Sequence, residues 1–138
     1  MIKVLTLREP WASLILHGYK PIETRSWHTS YRGELYIHSG KYPMSKRNER
    51  VAKLIENIPL PDALHGHIIL KCALSDCVFI DDHFAYSIQI SDPLNFLCGD
   101  FSVGRYAWIL TNVQPIEPIS ATGHLGLWNY DLNQKEAE

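Results

Sequence analysis

Within the ten residues from Gly18 to Trp27 the chain collects an ammonium (Lys20), a carboxylate (Glu23), a guanidinium (Arg25) and an indole (Trp27). Pro21 stops the preceding helix from resuming and fixes a turn. Beyond it, a two-residue period puts Glu23, Arg25 and Trp27 on one strand face and Ile22 and Thr24 on the other. The polar face, with Lys20 at its mouth, is expected to floor a pocket. Lys20 and Arg25 would neutralise phosphate there. Trp27, Tyr31 or Trp108 would offer a base a stacking surface worth ~1–3 kcal/mol. Glu23 would accept hydrogen bonds from the amino edge of a base, or orient the two cations. Unstacked bases of single strands and loops are the targets such a pocket suits.

The same side chains admit two other readings. In a small hydrolase, Lys20 would act as the base, Glu23 would polarise a water, and Arg25 would stabilise a developing oxyanion. In a scaffold, Glu23 and Arg25 would be a structural ion pair and the domain would serve protein contacts. Buried pairs are costly to desolvate, which makes them an odd choice for scaffolding alone.

The elements that must position these groups are readable on both sides. Ile2 to Leu7 alternates as a strand, and Glu9-Pro10 opens a helix whose buried stripe is Trp11, Leu14 and Ile15. Gly18 ends that helix, where a residue without a Cβ accepts a left-handed conformation. Ser13 and His17 stand four apart on it and are expected to be exposed or capping. After a turn over 30–33, Glu34 to His38 forms a second alternating strand with Leu35 and Ile37 inward. Glu34, Tyr36 and His38 then share the other face, and His38 and Ser39 would reach the cluster if the two strands were neighbours.

Further along, Ser45 to Ile58 is expected to be an amphipathic helix with Val51, Leu54, Ile55 and Ile58 as its stripe. Pro59 to Asp62 ends it. His67 to Phe79 is apolar enough to be a central strand. His65-Gly66-His67 aligns two imidazoles, but no third ligand lies nearby, so no metal is assigned and no cofactor is expected. Residues 81–99 show no clear period, and a stretch of that length reads as a lid or functional loop. Ser91-Asp92-Pro93-Leu94 within it looks like a capped helix start. Arg105 to Leu110 and Gly123 to Tyr130 supply closing strands, with a short extended piece bracketed by Pro115 and Pro118, and 133–138 reads as a polar tail.

The chain resembles a known family over most of its length. Gly18, Lys20, Glu23 and Arg25 fit the G-x-K-x-x-E-x-R motif of ASCH domains, relatives of the PUA RNA-binding domains. Leu5 to Ile15 resembles the opening strand and helix of that family, and Tyr31 to Ser39 its next strand. Gly104 to Leu110 and Gly123 to Trp128 are similar to its closing strands. The resemblance implies an α+β fold: a PUA-like small mixed or antiparallel β-barrel with flanking helices, one domain over 1–132. It implies ligand-binding roles for Lys20, Glu23 and Arg25, and extends them to Trp11, Tyr31, Arg32, His38, Ser39 and Arg105, beside the Trp27 already read from the strand pattern. One branch of the family resembles an amidohydrolase that deacetylates acetylated cytidine with a Lys, a Thr and a downstream Glu. Lys20 matches that lysine, but Glu23 stands at the position of the threonine. Ribonuclease activity is implied for other relatives.

Composition bounds these readings. At 138 residues the chain suits one domain with one core. Its three cysteines lack CxxC spacing, which argues against a disulfide framework or a thiolate zinc site. No apolar run approaches the ~20 residues of a membrane span, and nothing at the start reads as a secretory signal, so a cytoplasmic protein is expected. The net charge of −2 hides an asymmetry: residues 1–53 carry ten basic against four acidic residues, and 54–138 carry three against eleven. The basic half is what an anionic ligand would need. A near-neutral whole, with pI near 6.4, argues against broad DNA binding. Single-stranded RNA, a nucleotide or a nucleoside is therefore the expected partner.

Overall fold

A computed structural model describes residues 1–43 and 49–133. In order these form β1 (Ile2–Glu9), α1 (Trp11–Leu16), β2 (Ile22–Arg25), β3 (Gly33–Pro43) and α2 (Glu49–Glu56). There follow β4 (His67–Phe79), α3 (Asp82–Ser91), α4 (Pro93–Leu97), β5 (Tyr106–Ser120) and β6 (Leu127–Tyr130). The helix expected from Ser45 lies partly outside the described residues, as does all of the polar tail but Asn133.

The strands make one mixed sheet in the order β2-β5-β4-β3-β1-β6. β1 and β3 run parallel, while the other neighbours are antiparallel. No ladder joins the edge strands β2 and β6, so the barrel expected from the family resemblance is instead an open sheet. β2 is only four residues long and pairs with Tyr106 to Ile109 alone. The remainder of β5 lacks that neighbour, which is why a single strand runs through Pro115 and Pro118: a missing N–H costs nothing on an unpaired edge.

Three apolar clusters fill the two faces. The largest brings Leu5, Leu7, Ile15, Leu35, Ile37, Leu70, Trp108 and Leu110 together from α1 and four strands. A second packs Ile2, Val4, Ile68, Trp128 and Tyr130. On the other side of the β2–β5 pair, Ile22, Ile80, Phe101 and Ala107 are covered by Phe84, Ala85 and Ile88 of α3 and Phe96 of α4. Alternation along β5 explains the division, since Ala107 and Trp108 point to opposite faces.

The stretch read as a lid is thus two capped helices packed on the sheet. Asp81 accepts from the Phe84 N–H at 2.7 Å, and Asp92 accepts from the Asn95 N–H at 3.3 Å. The period was illegible because α3 carries apolar residues on both faces: Phe84, Ala85 and Ile88 inward, Tyr86 and Ile90 outward. The cysteines are all buried as free thiols. Burial pushes the Cys72 thiol up to about 12, so it holds its proton and is inert as a nucleophile.

Candidate functional site

The motif folds as the period-two pattern requires, but deeper than expected. α1 ends at Leu16, Gly18 takes a positive φ of 86°, and the Lys20 N–H returns to the Leu14 carbonyl at 3.2 Å. The turn drives Lys20 inward, where it is 1% exposed. Its Nζ donates to the carbonyls of Ile22 (2.9 Å) and Cys98 (2.8 Å) and lies 3.5 Å from Glu23 Oε1. The Trp11 ring centroid is 5.4 Å away. The ammonium thus has two backbone hydrogen-bond acceptors and one ion-pair partner. Lys20 clamps the end of α4 to the start of β2.

Glu23 is 6% exposed and links the two cations: Oε1 also accepts from the Thr24 N–H, and Oε2 meets Arg25 Nη1 at 3.4 Å. The expected open floor is closed because helices cover both faces of the β2–β5 pair. Arg25 alone of the three reaches an accessible recess. Its guanidinium carbon sits 5.8 Å from the Trp27 ring centroid.

That recess is a cleft of about 800 Å³. Arg25 comes to it from β2 at one edge of the sheet, Thr6 and Arg8 from β1, and His38, Gly40, Lys41 and Tyr42 from β3. Residues 121–126 complete it as a backbone-rich loop, with Gly66 beside them. The fold brings β2 and β1 to one cavity although three strands, β5, β4 and β3, stand between them in the sheet. Arg8, Arg25 and Lys41 make it cationic, and among the described residues no acidic side chain lines it.

Beneath the loop lies a buried polar relay. Trp128 Nε1 donates to Thr6 Oγ1 at 3.0 Å, so the Thr6 hydroxyl hydrogen is free to turn to His38 Nδ1 at 3.2 Å. His38 Nε2 then carries the proton and donates to the Ala121 carbonyl at 2.7 Å. A Cβ on Gly123 would come within 3.0 Å of His38 Cε1 and Thr6 Oγ1, which is why glycine stands there. His38 holds the loop through Ala121 and also lines the cleft.

Burial lowers the pKa of His38 from 6.5, with His67 and His124 acting in the same direction against the hydrogen bond to Ala121. The folded state keeps the ring neutral at a pH where the unfolded chain protonates it. The stability His38 contributes is present above about pH 6.5 and falls as acid titrates the unfolded chain. His38→Gln is expected to flatten the melting-temperature profile between about pH 7 and pH 5, as read by calorimetry at each pH.

The other anticipated residues divide clearly. Ser39 is buried and donates to Glu9 Oε2 at 2.6 Å, while Glu9 Oε1 accepts the Ser13 N–H at the start of α1. Trp108 is 0% exposed, its Nε1 donating to the Trp27 carbonyl, and Trp27 packs edge-on against it. Trp108 therefore has no open ring face for a base, while Trp27 is half-buried. Tyr31 bonds to the Glu34 carbonyl, Arg32 to the Thr29 and Tyr31 carbonyls, and Arg105 to the Asp100 and Thr24 carbonyls. None of Trp11, Trp27, Tyr31, Arg32, Ser39 and Arg105 lines the cleft. Arg8, Lys41, Tyr42 and His124 do, and sequence reasoning passed over them as sites. The only signal was their membership of the basic first half, or of the closing-strand resemblance.

Residues 5–120 match the model of the ASCH domain family. The chain belongs to that family. ASCH domains are PUA-like, and here the fold takes the form of a mixed α+β domain built on a six-stranded open sheet. The chain is 50% identical over 81 residues to a mouse protein named activating signal cointegrator 1, covering 54% of this chain and 14% of the relative. It is 31% identical over 105 residues to the human protein of that name, covering 68% of this chain and 18% of the relative. The chain thus spans less than a fifth of the length of these relatives. Among the described residues, no helix is long and apolar enough to cross a membrane, and no group of three or more His, Cys, Asp or Glu is placed to hold a metal ion.

Proposed function

We propose that this ASCH domain binds single-stranded RNA or a nucleotide in the cleft floored by β1 and β3, and that residues 1–132 form the binding unit, with 133–138 a polar tail. The observation that carries the reading is the meeting of Arg8, Arg25 and Lys41 around about 800 Å³ of open space, with no acidic side chain among the described residues of the lining. Such a cavity falls in the range that takes a small ligand. Guanidinium groups favour phosphate through paired N–H donors. Tyr42, 69% exposed and with Lys41 Nζ 5.7 Å from its ring, and His124, edge-on to Trp128, take over the stacking role from Trp27 and Trp108, which do not line the cleft. Lys20 and Glu23 act as positioning residues that hold Arg25 and the end of α4, and His38 holds the loop. The membership in a PUA-like family supports an RNA-associated role.

The hydrolase alternative draws no support from Lys20, whose ammonium is committed to Ile22, Cys98 and Glu23. One experiment separates the readings. Fluorescence anisotropy of short labelled RNAs, with mononucleotides as competitors, is expected to give binding that weakens with salt while gel analysis shows the oligonucleotide uncut. Absence of binding for RNA and nucleotide alike would defeat the proposal. A shortened RNA or deacetylated nucleoside would replace it with the hydrolase.

A further inference from the structure

The solvent side of α3 is the second surface that asks for a partner, and it does not depend on the cleft being a nucleic-acid site. The helix rests on the sheet through Phe84, Ala85 and Ile88. Asp82, Tyr86 and Ile90 stand at i, i+4 and i+8, so they form one stripe on the opposite side. Tyr86 and Ile90 are each 64% exposed, and Asp82 is exposed as well. The turn before β5 adds Val103, 55% exposed, which backbone bonds between Gly104 and Ile80 and between Ile80 and Arg105 tie to the start of the helix. A ten-residue helix that needed only to cover the sheet would be polar on its outer face.

Charge says what fits. Asp81 and Asp82 flank the stripe at its N-terminal end, and neither is in an ion pair among the described residues. Between Cys72 and Gly104 the chain contains no lysine or arginine. Polyanions are repelled by such a face, and the cations of this chain that line the cleft lie elsewhere. We infer that the outer face of α3 docks a cationic amphipathic helix of a partner protein. Its apolar side would seat on Tyr86, Ile90 and Val103, and its lysines or arginines would meet Asp81 and Asp82 at one end. The match runs over about 15 Å, the length of ten helical residues. This is helix-on-helix recognition by apolar anchors at i and i+4, with charge setting register.

The test uses the full chain and a synthetic peptide of leucine and lysine with the leucines on one helical face. A permuted peptide of the same composition, its leucines spread round the helix, is the control. Amide chemical-shift mapping is expected to place the amphipathic peptide on 79–92 and 102–104, with the permuted peptide at least about tenfold weaker. Tyr86→Ser/Ile90→Ser should weaken the amphipathic peptide about tenfold or more while the melting temperature and RNA binding stay unchanged. Should that double variant fold poorly, Asp82→Lys is expected to weaken binding several-fold and to do so less at high salt. Shifts confined to other surfaces, equal binding of both peptides, or unaltered binding by the variants would overturn the inference. So would a concentration-dependent dimer of the free chain that Tyr86→Ser/Ile90→Ser abolishes, since the face would then belong to a second copy. Loss of RNA binding in the wild-type chain would defeat the cleft proposal and leave this one standing.

Discussion

Lys20→Ala is expected to destabilise the domain by about 3–5 kcal/mol, the usual loss when one member of a buried ion pair is removed. The side chain is 1% exposed, so solvent screening gives no relief. Three acceptors lose a donor together: the carbonyls of Ile22 and Cys98, and the buried carboxylate of Glu23. A cavity opens beside Trp11 as well. For a chain of this size the loss corresponds to a drop in melting temperature of roughly 10–20 °C. Lys20→Met restores most of the volume but none of the donors, so its loss should remain within about 1 kcal/mol of that of Lys20→Ala. Thermal melts of both variants check this. A variant with wild-type stability and altered ligand turnover would instead return Lys20 to a chemical role.

Arg8→Ala/Lys41→Ala should have the largest effect on ligand capture with the least effect on stability. Both side chains are exposed on the cleft. If each neutralises one phosphate, the slope of log affinity against log salt falls by about 1.4, at roughly 0.7 per phosphate on a single strand. Affinity at low salt is expected to drop at least about a hundredfold, in line with two lost charge-assisted contacts. Anisotropy titrations at several salt concentrations measure both quantities. An unchanged slope would show that nucleic acid, if bound, lies elsewhere. Arg25→Ala gives a mixed result, because its guanidinium serves the cleft and Glu23 at once.

The contrast between Lys20 and Arg8 locates what the linear chain could and could not tell. Local order determined the helix end at Gly18, the turn at Pro21 and the alternation that parts Glu23 and Arg25 from Thr24, because these depend on backbone geometry within a few residues. It also identified the ASCH motif, the strand Glu34 to His38 and the cap at Asp92. Depth was beyond its reach. Whether Glu23 meets water depends on α1 and on helices 60 residues further along, and α3 hid its helical period by being apolar on both sides. The cleft was equally remote: Arg8, Arg25, Lys41 and His124 share no period or spacing, and meet only because the fold brings strands that are not neighbours in the sheet to border one cavity. The sequence by itself determined which charges the domain owns and how each strand turns them. The tertiary structure decided which are locked inside as ties and which face a guest, because burial is set by elements that the neighbouring residues do not encode.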